Sequence, residues 1–330
     1  MRNLLKDGLN DLKNKLSPAG GLSAESRAKT EQLTVRGTSL QNLGRDEEAI
    51  ACFDDVLKLN PRNAEAWKSK GDSLHNLGRN KEVLACYEEA LKIDPRNTVY
   101  LDSKSAVLGL MGCSEESIAS SDQAIRLDSH DSNALCNKGA ALAARNSNEE
   151  ALSYFDQALE IDGGNVVLWA NKANSLRALG RYKESVECCK GALELDSSHL
   201  RAWIIEGLSL YDLELYQDAI ACFEEVLRLD SRNTSVLYWK GASHGNIAQY
   251  VEAIACFDKV VTLDATMKDA WYGKAMSHDE LCQREEAISA YRRFLALAGP
   301  AQNTTQNTTE TEHANERLRE LSRQETPPAE

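Results

Sequence analysis

Apolar side chains along this chain follow a helical spacing that starts again every 34 residues. With residues 64–97 taken as one unit, positions 20, 21, 24, 27 and 28 of the unit fall on one face of a helix with about 3.6 residues per turn. Positions 4, 8 and 11 form a second apolar stripe earlier in the unit. The pattern therefore predicts two amphipathic helices in each unit, joined by a short turn.

The same unit recurs eight times without an insertion, over residues 30–63, 64–97, 98–131, 132–165, 166–199, 200–233, 234–267 and 268–301. Position 8 is small in every unit and position 24 is mostly aromatic, as in Gly71 and Tyr87, which predicts close helix packing with a ring set against a small residue. Gly78 suits the end of the first helix, and Pro95 follows the end of the second. One such pair cannot bury both stripes alone, so the pairs are expected to stack.

The repeated residues carry a resemblance to a known family. A W-x2-x-G … A-x3-F … P framework is matched in the second unit by Trp67, Gly71, Val83, Tyr87, Ala90 and Pro95. On these positions the chain resembles tetratricopeptide repeat proteins, in particular the prokaryotic and archaeal ones with many repeats. The resemblance covers residues 30–301 and implies an all-α fold: a right-handed α-solenoid of eight stacked helix-turn-helix repeats with terminal capping helices. Position 7 departs from the family because it is Lys or Arg, except at Glu206, and the stem of a Lys there can cover apolar surface.

The two ends of the chain lie outside the repeats. Residues 1–29 hold a stripe of leucines, from Leu5 to Leu16, that predicts an amphipathic helix and a linker, either a cap of the stack or a detachable arm. Residues 302–330 predict a polar linker to 309, a capping helix at about 310–323 with Ala314, Leu318 and Leu321 on one face, and a disordered tail.

The third unit, residues 98–131, departs most from the pattern. Ser121 stands where other units have an aromatic ring, and Ser105 and Ser117 occupy two further packing positions. If nothing compensates for the missing ring, the loss of packing is on the order of a few kcal/mol. This segment is therefore expected to be locally less stable than its neighbours.

Composition and charge narrow the function. A net charge of −13 without clustered Lys and Arg argues against nucleic acid as a partner. No run of 18 apolar residues occurs, so no membrane span is expected. The N-terminal residues make a poor signal peptide, and nine cysteines without a CxxC pair favour a reducing compartment, so a cytoplasmic protein is expected.

Motifs for catalysis are missing from the sequence. HExxH, GxxxxGK[ST], GxSxG and a GxGxxG after a strand do not occur, so we expect no enzyme and no cofactor. Five cysteines at position 23, among them Cys52 and Cys188, are one position copied by repetition and are expected to be small packing residues. His244 and His278 share position 11, and a ligand or metal site near them is the weaker alternative.

Partner binding is the function that the resemblance implies. In this family the first helices line a concave groove through positions 2, 5, 6, 9, 12 and 13. Those positions give a candidate partner-binding groove of Asn137, Asn171, Asn174, Arg177, Arg201, Ile204, Leu208, Tyr211, Asp212, Tyr238, Trp239, Tyr272 and Asp279. Aromatic residues beside charge dominate the energies of protein interfaces.

The sequence therefore predicts a protein-interaction scaffold that holds an extended or helical peptide of apolar or basic character. The alternative is self-association through the stack ends or the N-terminal arm, and the oligomeric state stays open. The family's clamp for a C-terminal carboxylate is not expected, because Asp72 stands where that clamp needs Asn.

Overall fold

The computed structural model describes residues 23–299 and 305–323. These residues form seventeen α-helices and no strand. The helices are α1 Ala24–Asn42, α2 Asp46–Leu59, α3 Ala64–Asn76, α4 Asn80–Ile93, α5 Thr98–Leu110, α6 Ser114–Leu127, α7 Ser132–Ala144, α8 Asn148–Ile161, α9 Val166–Ala178, α10 Tyr182–Leu195, α11 Leu200–Asp212, α12 Tyr216–Leu229, α13 Thr234–Asn246, α14 Tyr250–Leu263, α15 Lys268–Glu280, α16 Arg284–Ala298 and α17 Thr305–Arg323.

The helices group into two compact units, divided after Ser147. The first unit holds α1 to α7 and the second holds α8 to α17. Within each unit every helix packs on the next one in the chain, and odd-numbered helices up to α15 are the first helices of repeats. The predicted all-α fold of stacked helix-turn-helix repeats is confirmed.

Close packing inside a repeat depends on the small residue at position 8. A Cβ added at Gly71 would lie 2.6 Å from the ring of Tyr87, and one added at Gly207 would lie 2.6 Å from the ring of Phe223. Phe223 is fully buried. Glycine therefore lets the aromatic ring at position 24 fill the space between the two helices, as the sequence pattern predicted.

The turn between the two helices of a repeat has a left-handed residue in all eight repeats. Four are glycines with φ between 68° and 75°, at Gly44, Gly78, Gly112 and Gly180. The other four are Asn146, Glu214, Ala248 and Cys282, with φ between 56° and 63°. The following residue donates its N–H to the carbonyl five residues back, as from Arg79 to Leu74 at 3.0 Å, so the first helix ends in a Schellman-type cap.

The last residue of most repeats caps the first helix of the next. The side-chain oxygens of Asn63, Asn97, Asp131, Asn165 and Asn233 accept N–H bonds from the first turn of that helix. Such a cap satisfies one of the N–H groups that a helix start leaves open and is typically worth about 1 kcal/mol. This repeated cap was not anticipated from the apolar pattern, because it involves a polar turn residue.

The third repeat has a buried hydrogen-bond cluster at the position of its missing ring. The Ser105 hydroxyl lies 2.7 Å from the Ser121 hydroxyl and 2.9 Å from the Ser117 hydroxyl. Ser117 also donates to the Ser105 carbonyl at 2.9 Å. All three side chains are buried. The argument from the missing ring therefore left out these hydrogen bonds. The lower stability of residues 98–131 stays a prediction.

Position 7 forms a ladder of ion pairs between neighbouring repeats. Its lysine reaches an acid at position 25 of the preceding repeat at 2.5–3.1 Å, in the pairs Lys70–Asp54, Lys104–Glu88, Lys138–Asp122, Lys172–Asp156, Lys240–Glu224 and Lys274–Asp258. Where position 7 is acidic, at Glu206, the preceding position 25 is Lys190. Burial raises the pKa of Glu206, and the attraction of Lys190 opposes that rise. At this junction the two charges are therefore exchanged.

Helix α17 packs on the last repeat. Its Ala314 and Leu321 are buried against α16, and the Arg284 side chain donates to the Leu321 carbonyl at 2.7 Å. The helix begins at Thr305, inside the segment expected to be a linker. The apolar stripe starts only at Ala314, so periodicity gave no signal for the first turns. The predicted N-terminal helix within residues 1–29 and the predicted tail after 323 fall, apart from residues 23–29, outside the described residues.

Candidate partner-binding groove

The first helices of the second unit form a continuous row. α9 contacts α11, α11 contacts α13, and α13 contacts α15, so each contact joins the first helices of two adjacent repeats. Among the described residues of this unit, the second helices show no comparable row. Since the first helices of this unit approach each other more closely than its second helices do, this unit curves toward its first helices. This inner face is where the sequence placed the candidate groove.

Four of the predicted apolar residues meet on α11 and α13. Ile204, Leu208, Tyr211 and Trp239 are half-buried and pack against one core cluster. Tyr211 meets Trp239 edge to face, with ring centroids 5.0 Å apart, and Trp239 meets Tyr238 in the same way at 5.3 Å. We name Ile204, Leu208, Tyr211, Tyr238 and Trp239 the aromatic cluster. Its rings hold one another in place while keeping exposed edges, so little side-chain freedom is left to lose on binding.

Two predicted groove residues are instead engaged by α17. The Tyr272 hydroxyl lies 3.0 Å from Nδ1 of His313. Asp279 accepts two hydrogen bonds from Arg317, from Nε and Nη2, both at 2.8 Å, and its side chain is only 13% exposed. Sequence reasoning missed this contact because α17 follows the repeats and obeys no repeat register. Its amphipathic pattern predicted a cap without giving its partners on α15.

The predicted polar groove residues mostly bond to each other across repeats. Arg177 pairs with Asp212 at 2.8 Å, and Arg201 donates to the Asn171 side chain at 2.8 Å. In the first unit, Asn137 donates to the Asp102 carbonyl at 3.1 Å. Asn174 is exposed. Apart from Asn174, these groups link first helices of neighbouring repeats.

A cavity of ≈ 310 Å³ opens between α13 and α15, next to the aromatic cluster. Tyr238, Tyr250, Phe257 and Tyr272 supply rings to its wall, and Asp269, Glu280 and Glu310 supply carboxylates. Burial and the negative charge of Asp269 raise the pKa of Tyr238 to about 12. Of these residues, only Tyr238 and Tyr272 were in the predicted groove. Tyr250 and Phe257 belong to a second helix, α14, and Glu310 comes from α17.

The two histidines of the weaker alternative each pair with a glutamine. Nδ1 of His244 lies 2.7 Å from the Gln249 side-chain oxygen, and Nδ1 of His278 lies 2.6 Å from that of Gln283. Both rings are buried. Within residues 23–299 and 305–323, no three His, Cys, Asp or Glu side chains converge where they could hold a metal ion. The two histidines therefore have equivalent partners at equivalent repeat positions, which is typical of a packing residue that recurs with the repeat.

The cysteines at position 23 are buried free thiols in all five copies, at Cys52, Cys86, Cys188, Cys222 and Cys256. Burial raises the pKa of the Cys86 thiol to about 11, so its reactive thiolate is disfavoured near neutral pH. Across the described ranges, none of the helices has the length and apolar character needed to cross a membrane.

Comparison with known families identifies the repeat. A tetratricopeptide repeat model matches residues 34–98, 113–166 and 206–269, together more than half of the chain. A model described as anaphase-promoting complex, cyclosome, subunit 3 matches residues 144–226. No curated protein sequence matches this chain significantly.

Solved structures show the same fold. YrrB, described as a TPR protein with an unusual peptide-binding site, is 21% identical, with a TM-score of 0.51 over 59% of this chain and 97% of its own. The APC/C hetero-tetramer Cut9-Hcn1 is 16% identical, with a TM-score of 0.63 over 94% of this chain. This chain spans 59% of that structure's chain. At such identities the likeness concerns the fold, while the family match rests on the sequence. The chain belongs to the tetratricopeptide repeat family.

Proposed function

We propose that this chain is a non-catalytic scaffold that binds an extended or helical segment of a protein partner along the first helices of the second unit. The observation that carries the proposal is the aromatic cluster on the first helices α11 and α13, whose rings pack together and are partly exposed. Aromatic anchors of this kind contribute most to interface energy. The peptide-binding site named for YrrB and the assembly named for Cut9-Hcn1 agree with such a role for the family.

The chemistry of the surface favours an apolar or basic partner. Carboxylates stand beside the aromatic cluster, and the chain carries a net charge of −13. Complementary charge speeds association and disfavours acidic partners, nucleic acid among them. Nine free cysteines fit a reducing compartment, and we place the protein in the cytoplasm.

A capture experiment with a matched control tests the groove. Leu208→Ala combined with Trp239→Ala removes two members of the aromatic cluster. Leu229→Ala removes a similarly sized apolar side chain from α12, a second helix, where it is 43% exposed. We expect the double variant to lose at least about 90% of the partner that the wild-type chain captures from native lysate, because truncating anchors costs several kcal/mol. The control should capture normally, and circular dichroism should show equal helicity in all three.

Unchanged capture by the double variant would place the partner on another surface. Light scattering over a concentration series distinguishes the alternative of self-association, which requires an average mass that rises with concentration. A constant mass equal to one chain, together with capture of a partner, supports the scaffold.

A further inference from the structure

Three glycines, Gly241, Gly245 and Gly273, line the cavity between α13 and α15. A Cβ added at Gly241 would lie 2.9 Å from the Phe257 ring, and one at Gly273 would lie 2.6 Å from it. Phe257 therefore closes the bottom of the cavity against the two helices. A Cβ added at Gly245 would meet nothing within 4 Å, so this position borders open space. A side chain at position 245 would therefore extend into open space.

Negative charge surrounds this space. Asp269 and Glu280 reach it from α15, and Glu310 reaches it from α17. Burial, and after it the negative charge of Asp269, raise the pKa of Glu310. Lys268 lowers the same pKa but does not line the cavity. A positive group inside would relieve the repulsion between these carboxylates.

Aromatic rings complete the wall. Tyr238 and Tyr272 are half-buried there, and Phe257 lies below them. Within the part of the chain that the structure describes, the Tyr238 hydroxyl makes no hydrogen bond, so it can accept one from a guest. A cation beside aromatic rings is attracted by their π-electrons, and a planar guanidinium can also give two parallel hydrogen bonds to a carboxylate.

We propose that this cavity binds an arginine side chain of the partner segment. The assignment deepens the proposed function and rests on it, because the cavity adjoins the aromatic cluster on the same face. A volume of ≈ 310 Å³ is at the lower end of the range for ligand pockets, about 300–1,000 Å³. It suits one long side chain. Arginine offers the planar charge that the carboxylates and rings complement, and its methylene stem can follow the apolar wall.

Short peptides test the chemistry directly. The probes are acetyl-Gly-Gly-X-Gly-Gly-amide with X as arginine, lysine or citrulline, titrated into the full chain and followed by NMR. Citrulline has the shape of arginine without its charge. We expect the arginine peptide to bind at least about tenfold more tightly than the citrulline peptide, with the preference falling as salt rises. Equal binding of arginine and citrulline overturns the proposal, and lysine binding as tightly as arginine overturns the assignment to a guanidinium.

Two variants locate the binding in the cavity. Gly245→Leu places a side chain in the open space and should abolish the arginine preference. Gly109→Leu is the matched control, because Gly109 holds the same repeat position in α5, is exposed, and does not line this cavity. Asp269→Asn with Glu280→Gln provides a second, isosteric variant on exposed residues, and it should also abolish the preference. Retention of the preference in both variants contradicts the proposal.

The outcomes separate this inference from the proposed function. If Leu208→Ala with Trp239→Ala loses the lysate partner while no arginine preference is found, the groove stands and the cavity assignment fails. If the arginine preference is present but that double variant captures its partner normally, the cavity stands and the groove assignment fails.

Discussion

Asp102 shows how a single buried carboxyl group can tie stability to pH. Burial and the nearby negative charge of Asp131 raise its pKa from 3.8 to about 8. Asp131 is held in place because it caps α7 through the N–H groups of Asn133 and Ala134. Near neutral pH, Asp102 is therefore largely protonated in the folded chain and ionised in the unfolded one.

Replacing this carboxyl group by an amide should remove part of the pH dependence of folding. Because the folded pKa is above the unfolded value, the stability that the neutral form contributes is fully present below about pH 4 and is lost as the pH rises toward about 8. We expect Asp102→Asn to raise the melting temperature at about pH 8.5 relative to wild type, with a smaller gain at about pH 5. Thermal denaturation across this range measures it, with Glu150→Gln at an exposed acid as the control. A parallel pH profile in variant and wild type would contradict the shift.

A contact between two side chains could be predicted from the sequence where both residues recur at fixed positions of the repeat. Gly71 and Tyr87 recur in register, so their contact could be predicted. Ser105 and Ser121 looked like a loss, because the hydrogen bond between them appears only when two helices bring the hydroxyls to 2.7 Å. The hydrogen bond that Asn137 donates to the Asp102 carbonyl likewise joins two repeats, and the 34-residue sequence pattern does not predict it.

At the scale of helices and turns, the turn inside each repeat is the most regular feature. All eight turns place one residue in the left-handed region, and only half of them use glycine there. A residue with a Cβ pays about 1–2 kcal/mol in that conformation, which glycine avoids. The backbone of the repeat therefore imposes this geometry on Asn146, Glu214, Ala248 and Cys282.

Ala248→Gly should stabilise the chain by about 1 kcal/mol, because the relief of strain exceeds the entropy that glycine adds to the unfolded chain. Urea denaturation would show the gain, and Gly78→Ala at the equivalent turn should show a loss of similar size. A destabilising Ala248→Gly would mean that the turn is not strained at this residue.

The ion-pair ladder joins helices of neighbouring repeats. The junction of Lys190 and Glu206, where the two charges are exchanged, offers a direct test of whether these charges interact. Lys190→Glu places two acids at the junction where Glu206 is buried, and it should destabilise the chain. Adding Glu206→Lys restores opposite charges in the orientation of the other six rungs. A double-mutant cycle in urea should give a coupling energy of about 0.5–3 kcal/mol, the range for residues in contact. Additive effects of the two substitutions would show that the charges do not interact.

For the whole molecule, the 34-residue period was sufficient to predict the fold, since each stripe must be buried by a neighbour. The candidate groove was predictable only as a surface. The repeat positions of Tyr272 and Asp279 predicted that both line the groove, but side chains of α17 contact both of them. The cavity is lined in part by Glu310, which belongs to no repeat. Contacts between a repeat array and a segment outside it follow no period, so they required the structure.

The ladder has a consequence for how copies of this chain meet. An open array of repeats could in principle grow by adding the first repeat of one copy to the last repeat of another, giving a filament. That junction would set position 7 of the first repeat, Arg36, against position 25 of the last, Arg292. Every internal junction in the ladder joins opposite charges, whereas this one joins two cations. Even with α17 displaced, this contact between like charges would disfavour end-to-end addition of one copy to another.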